Sequence, residues 1–209
     1  MDKNETFTTV SREASVEFEE KRSVFIGRVI RADSEDEALD FVKRIKKQHQ
    51  DATHNVYAYM MRGDAVARYS DDGEPQGTAG MPVLDVIRKS GVRNVCVVVT
   101  RYFGGTLLGA GGLVRAYSHA ASLALDEAGI ITYEPYCEFE LRCGYSEYQK
   151  YSVLLSAHGA VIDGTDFTAD VLVKFAIRRT SADSFVAKLT EAGYGKNVPI
   201  KVGERFDYR

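Results

Sequence analysis

The chain has 209 residues, room for one large domain or two small ones, each with its own core. Hydrophobic residues make up 44% and charged residues 27%, and the net charge of −3 is spread evenly: 17 basic against 19 acidic residues in 1–133, and 10 against 11 in 134–209. That excludes a polycation drawn to nucleic acid by bulk charge, so any such binding needs a local patch. No window approaches about eighteen apolar residues, which excludes a membrane-spanning helix. The opening stretch "MDKNETFTTVSRE" lacks the apolar run of a signal peptide, and the expected location is cytoplasmic. Cys96, Cys137 and Cys143 are odd in number and have no C-x-x-C spacing. They read as buried reduced thiols, not a disulfide framework or a zinc knuckle.

In chain order, residues 15–32 read as two strands joined by the charged turn Glu19–Arg22. Ser34 opens a helix with Glu37 placed for a capping box, an apolar stripe of Ala38, Phe41, Val42 and Ile45, and Lys46 and Lys47 at its negative end. Residues 54–70 read as a hairpin turning at Gly63-Asp64. An acidic glycine loop, "SDDGEPQGTAG", leads into a short helix with Pro82 in its first turn and Gly91 as its stop. "NVCVVVTRYF" is a valine-rich run, expected as a strand buried on both faces. A second glycine loop opens a helix over 112–128, whose stripe of Leu113, Tyr117, Ala120, Ala124 and Ala128 implies close packing on a sheet.

"TYEPY" breaks the pattern and divides the chain into domains of 1–133 and 134–209. In the second, "CEFELRC" alternates as a half-buried strand. Ser146 and Gln149 are expected to cap a helix ended by Gly159. A strand pair, a helix over 181–192 and a last strand in "YGKNVPIKV" follow, with Pro199 marking an edge. The order β-α-β-β-α-β is the ferredoxin-like plan, so the fold class is α/β (α+β) in two domains.

Chemistry concentrates in the two glycine loops. In "TRYFGGTLLGAGGLVRAY", Arg101 ends the buried strand; Gly104, Gly105, Gly109, Gly111 and Gly112 follow; Arg115 lies in the first turn of the helix. Glycine backbone N–H groups, a helix N-terminus and two guanidiniums make a plausible anion site. The loop fits neither the Walker pattern nor G-x-G-x-x-G. An architectural reading stands beside it, with glycines for tight packing and the arginines paired to carboxylates. In the acidic loop, Asp71, Asp72 and Glu74 lie close together, with His54 on a strand upstream. Metal spacing is absent, and the favoured reading is a turn with Thr78 capping the following helix. His49, His119 and His158 do not cluster.

Together the loops resemble the YigZ/IMPACT family: His54 in "HNVYAY", then "SDDGEPQGTAG" with Pro82, then "VVVTRYFGGTLLGAGGLVRAY", in that order and spacing, within about residues 15–130. The resemblance implies an N-terminal IMPACT domain folded like domain IV of elongation factor G. It implies a C-terminal domain similar to that factor's domain V, as bacterial members carry. Eukaryotic relatives regulate translation by competing for an activator of a kinase that phosphorylates an initiation factor. Bacteria lack that kinase, so what carries over is a link to ribosomes, RNA or a translation-associated protein. The family supplies no catalytic residues.

The expected function is therefore a non-catalytic, translation-linked regulator without cofactor or metal. It would bind through Arg101, Tyr102, Gly104, Gly105, Gly109, Gly111, Gly112 and Arg115, with Tyr102 or Phe103 stacking on a base. His54, Asp71, Asp72, Glu74 and Thr78 form an acidic loop of open role. The alternative is a metal- or phosphate-dependent enzyme acting on a phosphorylated small molecule, which requires the two loops to face one cleft. A third reading makes the loops purely architectural.

Overall fold

The computed structural model describes residues 6–63 and 66–208, in two compact units of 7–132 and 133–208. Asp64, expected in a hairpin turn, lies outside the described residues.

In the first unit, β2 (Ala14–Glu20), β3 (Ser23–Arg31), β4 (His54–Met60), β5 (Ala67–Ser70) and β6 (Val95–Tyr102) form one antiparallel sheet in the order β2-β3-β6-β4-β5. β6 sits at its centre and is buried along nearly its whole length, as its valines foretell. Alternation sends Val95, Val97 and Val99 to one face and Cys96 and Val98 to the other. The first face packs on α2 (Gly80–Ser90) and α3 (Ala110–Ala128); the second packs on α1 (Glu35–Gln48). The unit is thus a helix layer, a sheet and a second helix layer.

Small residues let α3 settle close to the sheet: a Cβ at Gly27 of β3 would stand 2.4 Å from the Ala120 carbonyl oxygen. Ser34 caps α1 through its Oγ, which accepts from the Glu37 N–H at 3.2 Å. The Glu37 carboxylate reaches the Asp33 N–H instead of the Ser34 N–H. One strand escaped the pattern reading: β1 (Phe7–Val10), too short and polar to signal itself. It is tied to the rest by the Arg93 N–H donating to the Thr8 carbonyl at 2.7 Å.

In the second unit, β7 (Ile130–Cys143), which begins in the first, is followed by α4 (Tyr145–Ala157), β8 (Val161–Phe167), β9 (Val171–Arg178), α5 (Arg179–Ala192) and β10 (Ile200–Tyr208). The strands run β10-β7-β9-β8, all antiparallel, which is the ferredoxin-like arrangement. Two local expectations are corrected. α4 is not capped by Ser146 and Gln149: Gly144 is the N-cap, and the Glu147 carboxylate accepts from the Gly144 N–H at 3.2 Å. β10 begins after Pro199 and runs on to Tyr208, because its pairing with β7 outweighs its charged composition. Cys96, Cys137 and Cys143 are all free and buried. No helix among the described residues is long and apolar enough to cross a membrane.

Candidate functional site

Both loops converge on one end of the central sheet. His54 and Arg101 are register partners across β4 and β6, so their side chains share a face. The acidic loop continues from β5 and the glycine loop from β6. They meet at a cavity of about 420 Å³ whose lining includes His54, Glu74, Arg101, Phe103, Leu107 and Leu113. The two loops therefore face one cleft, the geometric condition set by the enzyme reading.

The three carboxylates have three separate tasks. Asp71 caps α2: one oxygen accepts from the N–H groups of Ala79 and Gly80 at 3.2 and 2.8 Å, the other from Gly77 at 2.9 Å. Thr78 was expected in that role. Its hydroxyl instead donates to the Pro75 carbonyl at 2.6 Å, because the loop turns it away from the helix start. Asp72, at a φ of 46°, extends the sheet edge by accepting from the Asn55 N–H at 2.6 Å, and its other oxygen pairs with Lys46 at 2.6 Å.

Glu74 is the buried one, its side chain only 3% exposed. Its Oε1 accepts from Arg101 Nη1 at 2.6 Å and from the Tyr117 hydroxyl at 2.7 Å. Burial and the Glu74 charge push the Tyr117 phenol well above its ordinary range. Arg101 is buried as well, its guanidinium carbon 5.4 Å from the ring centres of both Phe25 and Phe103. Its Nη2 reaches Ser23 Oγ at 3.3 Å, and its Nε has no partner among the described residues. The buried cation of the glycine loop is thus already matched by a carboxylate.

His54 donates from Nδ1 to the Asp72 carbonyl at 2.8 Å, since a carbonyl can only accept. His54 Nε2 stands 3.7 Å from Glu74 Oε2. Among the described residues no three His, Cys, Asp or Glu side chains form a group able to hold a metal ion.

The other expected residues divide. Tyr102 points to the opposite face of the sheet from Arg101, where its hydroxyl meets His49 Nδ1 at 2.8 Å and Asp51 at 3.1 Å. Gly104 is a contact point: a Cβ there would lie 1.9 Å from the Arg22 carbonyl oxygen. Gly105 and Gly109 hold φ of 84° and 71°, which favours glycine. Gly111 and Gly112 lie in the first turn of α3, where a Cβ at Gly112 would come 2.9 Å from Leu108 Cβ.

Arg115 does not join Arg101. It lines a second cavity of about 250 Å³ with Phe18, Glu20, Lys21, Gly112 and His119. The Phe18 and His119 rings there meet edge to face with centroids 4.9 Å apart. Lys21 and Arg22 were read from the sequence only as part of the charged turn Glu19–Arg22, with no binding role. They form the two-residue turn between β2 and β3, with Glu20 and Ser23 directly paired. Both are left-handed, at φ of 49° and 66°. Such a turn ordinarily takes Asn-Gly. A Lys-Arg pair at that spot was the signal available to a reader of the sequence. Lys21, Arg22 and Arg115 are exposed, and none has a side-chain ion pair or hydrogen bond among the described residues.

Comparison with known proteins agrees with these motifs. Residues 21–125 match the Impact N-terminal domain and residues 141–196 match a domain of unknown function, DUF1949. The chain is 35% identical over 200 residues to the IMPACT family member YvyE of Bacillus subtilis (strain 168), covering 95% of this chain and 92% of the relative. It is 35% identical over 178 residues to the IMPACT family member YigZ of Escherichia coli (strain K12), covering 84% and 87%. A crystal structure described as that of a hypothetical protein matches 95% of this chain and 98% of its own, with 32% identity and a TM-score of 0.60. With both domains matched and relatives aligned over most of their length, the chain belongs to the IMPACT family.

Proposed function

We propose that the chain is a non-catalytic, translation-linked regulator that binds RNA on the ribosome through the glycine loop, the first turns of α3 and the β2–β3 turn. The observation that carries this reading is the turn itself. Two long cations occupy left-handed positions, at φ of 49° and 66°, where glycine and asparagine cost less. Backbone strain of this kind is tolerated at positions with a task, and here it presents two unpartnered positive charges beside a third on α3.

Phosphates would meet Lys21, Arg22 and Arg115, and a base would find the Phe18 and His119 rings in the cavity between them. Arg101, paired with Glu74, acts as the internal brace that holds the glycine loop on β6. Membership in the family supports the link to translation. An enzyme acting on a phosphorylated small molecule is supported less well. The cation in the shared cleft is already paired with Glu74, and Arg115 lines a different cavity.

The test is fluorescence anisotropy of a labelled single-stranded RNA against wild type and the Lys21→Ala/Arg22→Ala/Arg115→Ala variant over a salt series. Wild-type affinity should fall with a log–log slope near −2, about −0.7 per phosphate neutralised by three cations. The triple variant should lose both affinity and slope. Equal binding by the two proteins would overturn the assignment.

A further inference from the structure

The larger cavity, between the acidic loop and the glycine loop, borders the proposed RNA face, with Leu108 lining both cavities, and has its own chemistry. Its walls are apolar, from Pro75, Phe103, Leu107, Leu108 and Leu113, and its volume of about 420 Å³ falls in the range of small-molecule sites.

Its polar end holds one donor without a partner among the described residues, Arg101 Nε, and acceptors on Glu74 and His54. With Nδ1 engaged by the Asp72 carbonyl, His54 Nε2 has no hydrogen bond among the described residues and in the uncharged ring is an acceptor. Glu74 Oε1 is used by Arg101 and Tyr117, whereas no donor among the described residues comes within hydrogen-bonding distance of Oε2. Two acceptors 3.7 Å apart, one on a side chain only 3% exposed, call for a group with several N–H donors. An ammonium has three.

The opposite need appears at the start of α3. Gly109 and Ala110 line the same cavity, the Gly109 cap supplies no side chain, and among the described residues no side chain accepts from the N–H groups of Ala110, Gly111 or Gly112. That end of a 19-residue helix favours a carboxylate. The Glu74–Arg101 pair balances its own charge, so a ligand neutral overall fits the site best.

We propose that this cavity binds a free apolar α-amino acid. Its ammonium sits on Glu74 Oε2 and His54 Nε2, its carboxylate on the α3 N-terminus, and its side chain among Leu107, Leu108 and Leu113.

The test uses the full wild-type chain and a ligand series, followed by isothermal titration and thermal shift. Leucine and phenylalanine should bind and raise the melting temperature. Each of three analogues should bind at least tenfold more weakly: 4-methylpentanoic acid, which lacks the amine; leucinamide, which lacks the carboxylate; and glycine, which lacks the side chain. Leu107→Asp alters a residue 82% exposed at the rim, leaves the fold intact and should weaken leucine binding about tenfold. Glu74→Gln should weaken it further. No heat and no shift with either amino acid would overturn the proposal, as would equal binding of 4-methylpentanoic acid. Equal binding of leucinamide would overturn it in favour of a peptide N-terminus.

Discussion

Replacing Lys21 and Arg22 together by Asn and Gly should make the protein more stable and a weaker RNA binder at once. The β2–β3 turn places both residues at positive φ, 49° and 66°. A left-handed conformation costs an ordinary L-residue about 1–2 kcal/mol, whereas glycine bears none of it and asparagine only part. Among the described residues neither native side chain has a partner whose loss would offset the gain. The pair Lys21→Asn/Arg22→Gly should therefore stabilise the first unit by about 1–2 kcal/mol, or about 3–8 °C in melting temperature for a unit of this size. Two of the three proposed phosphate contacts disappear with the charges, so the salt slope of RNA binding should fall in magnitude by about 1.4. Hydrogen exchange read on β3 and β6 peptides reports the stability, and anisotropy reports the binding. A variant that is no more stable, or that binds RNA unchanged, would refute the link between the strained turn and its function.

Three further outcomes follow from the buried network. Glu74→Gln leaves the Arg101 guanidinium buried without its counter-charge and should cost about 3–5 kcal/mol; adding Arg101→Met should recover most of that, measured by the same exchange experiment. The glycines of the loop should separate by sign. Gly104→Ala drives a Cβ into the Arg22 carbonyl and should cost about 3 kcal/mol. Gly111→Ala, in the first helical turn with only an ordinary contact to Arg115, should be neutral or stabilise by up to about 1 kcal/mol, both read by denaturant titration. Alkaline pH should expose Tyr117. Its phenol is pushed up in the folded state, by burial and then by Glu74, so the folded protein keeps a proton that the unfolded chain loses above about pH 10. That contribution is whole below pH 10 and declines above it by about 1.4 kcal/mol per pH unit. Tyr117→Phe should cost about 1–2 kcal/mol at neutral pH and show a shallower decline above pH 10. Parallel curves would contradict the buried phenol's role.

Much of the architecture could be read directly because it is periodic. The β6 valines announce a strand buried on both faces, and the Leu113–Ala128 stripe announces a helix lying close on a sheet. The alternation of "CEFELRC" and the order of elements after it give the ferredoxin-like unit. What escaped depends on side chains choosing between near-equivalent partners. Asp71 and Thr78 are both competent helix caps, and only the loop's path decides that Asp71 takes the N–H groups. Arg101 and Arg115 look alike in a glycine-rich stretch. Strand register sends one beside Glu74, and helix geometry sends the other to the surface. Lys21 and Arg22 were hidden for a different reason: a charged turn is unremarkable until its backbone is seen to be left-handed. The facing of His54 and Arg101 required knowing that β4 and β6 are neighbours, a long-range pairing that no local pattern encodes.

The most direct single measurement is co-sedimentation with ribosomes on a sucrose gradient at low and moderate salt. Wild type is run beside the Lys21→Ala/Arg22→Ala/Arg115→Ala variant, its fold verified by circular dichroism. Wild type should travel with the ribosome at low salt and be released as salt rises, while the folded variant stays at the top of the gradient. Wild type at the top under both salts, or a variant that migrates with the ribosome as wild type does, would contradict the assignment of this surface to RNA.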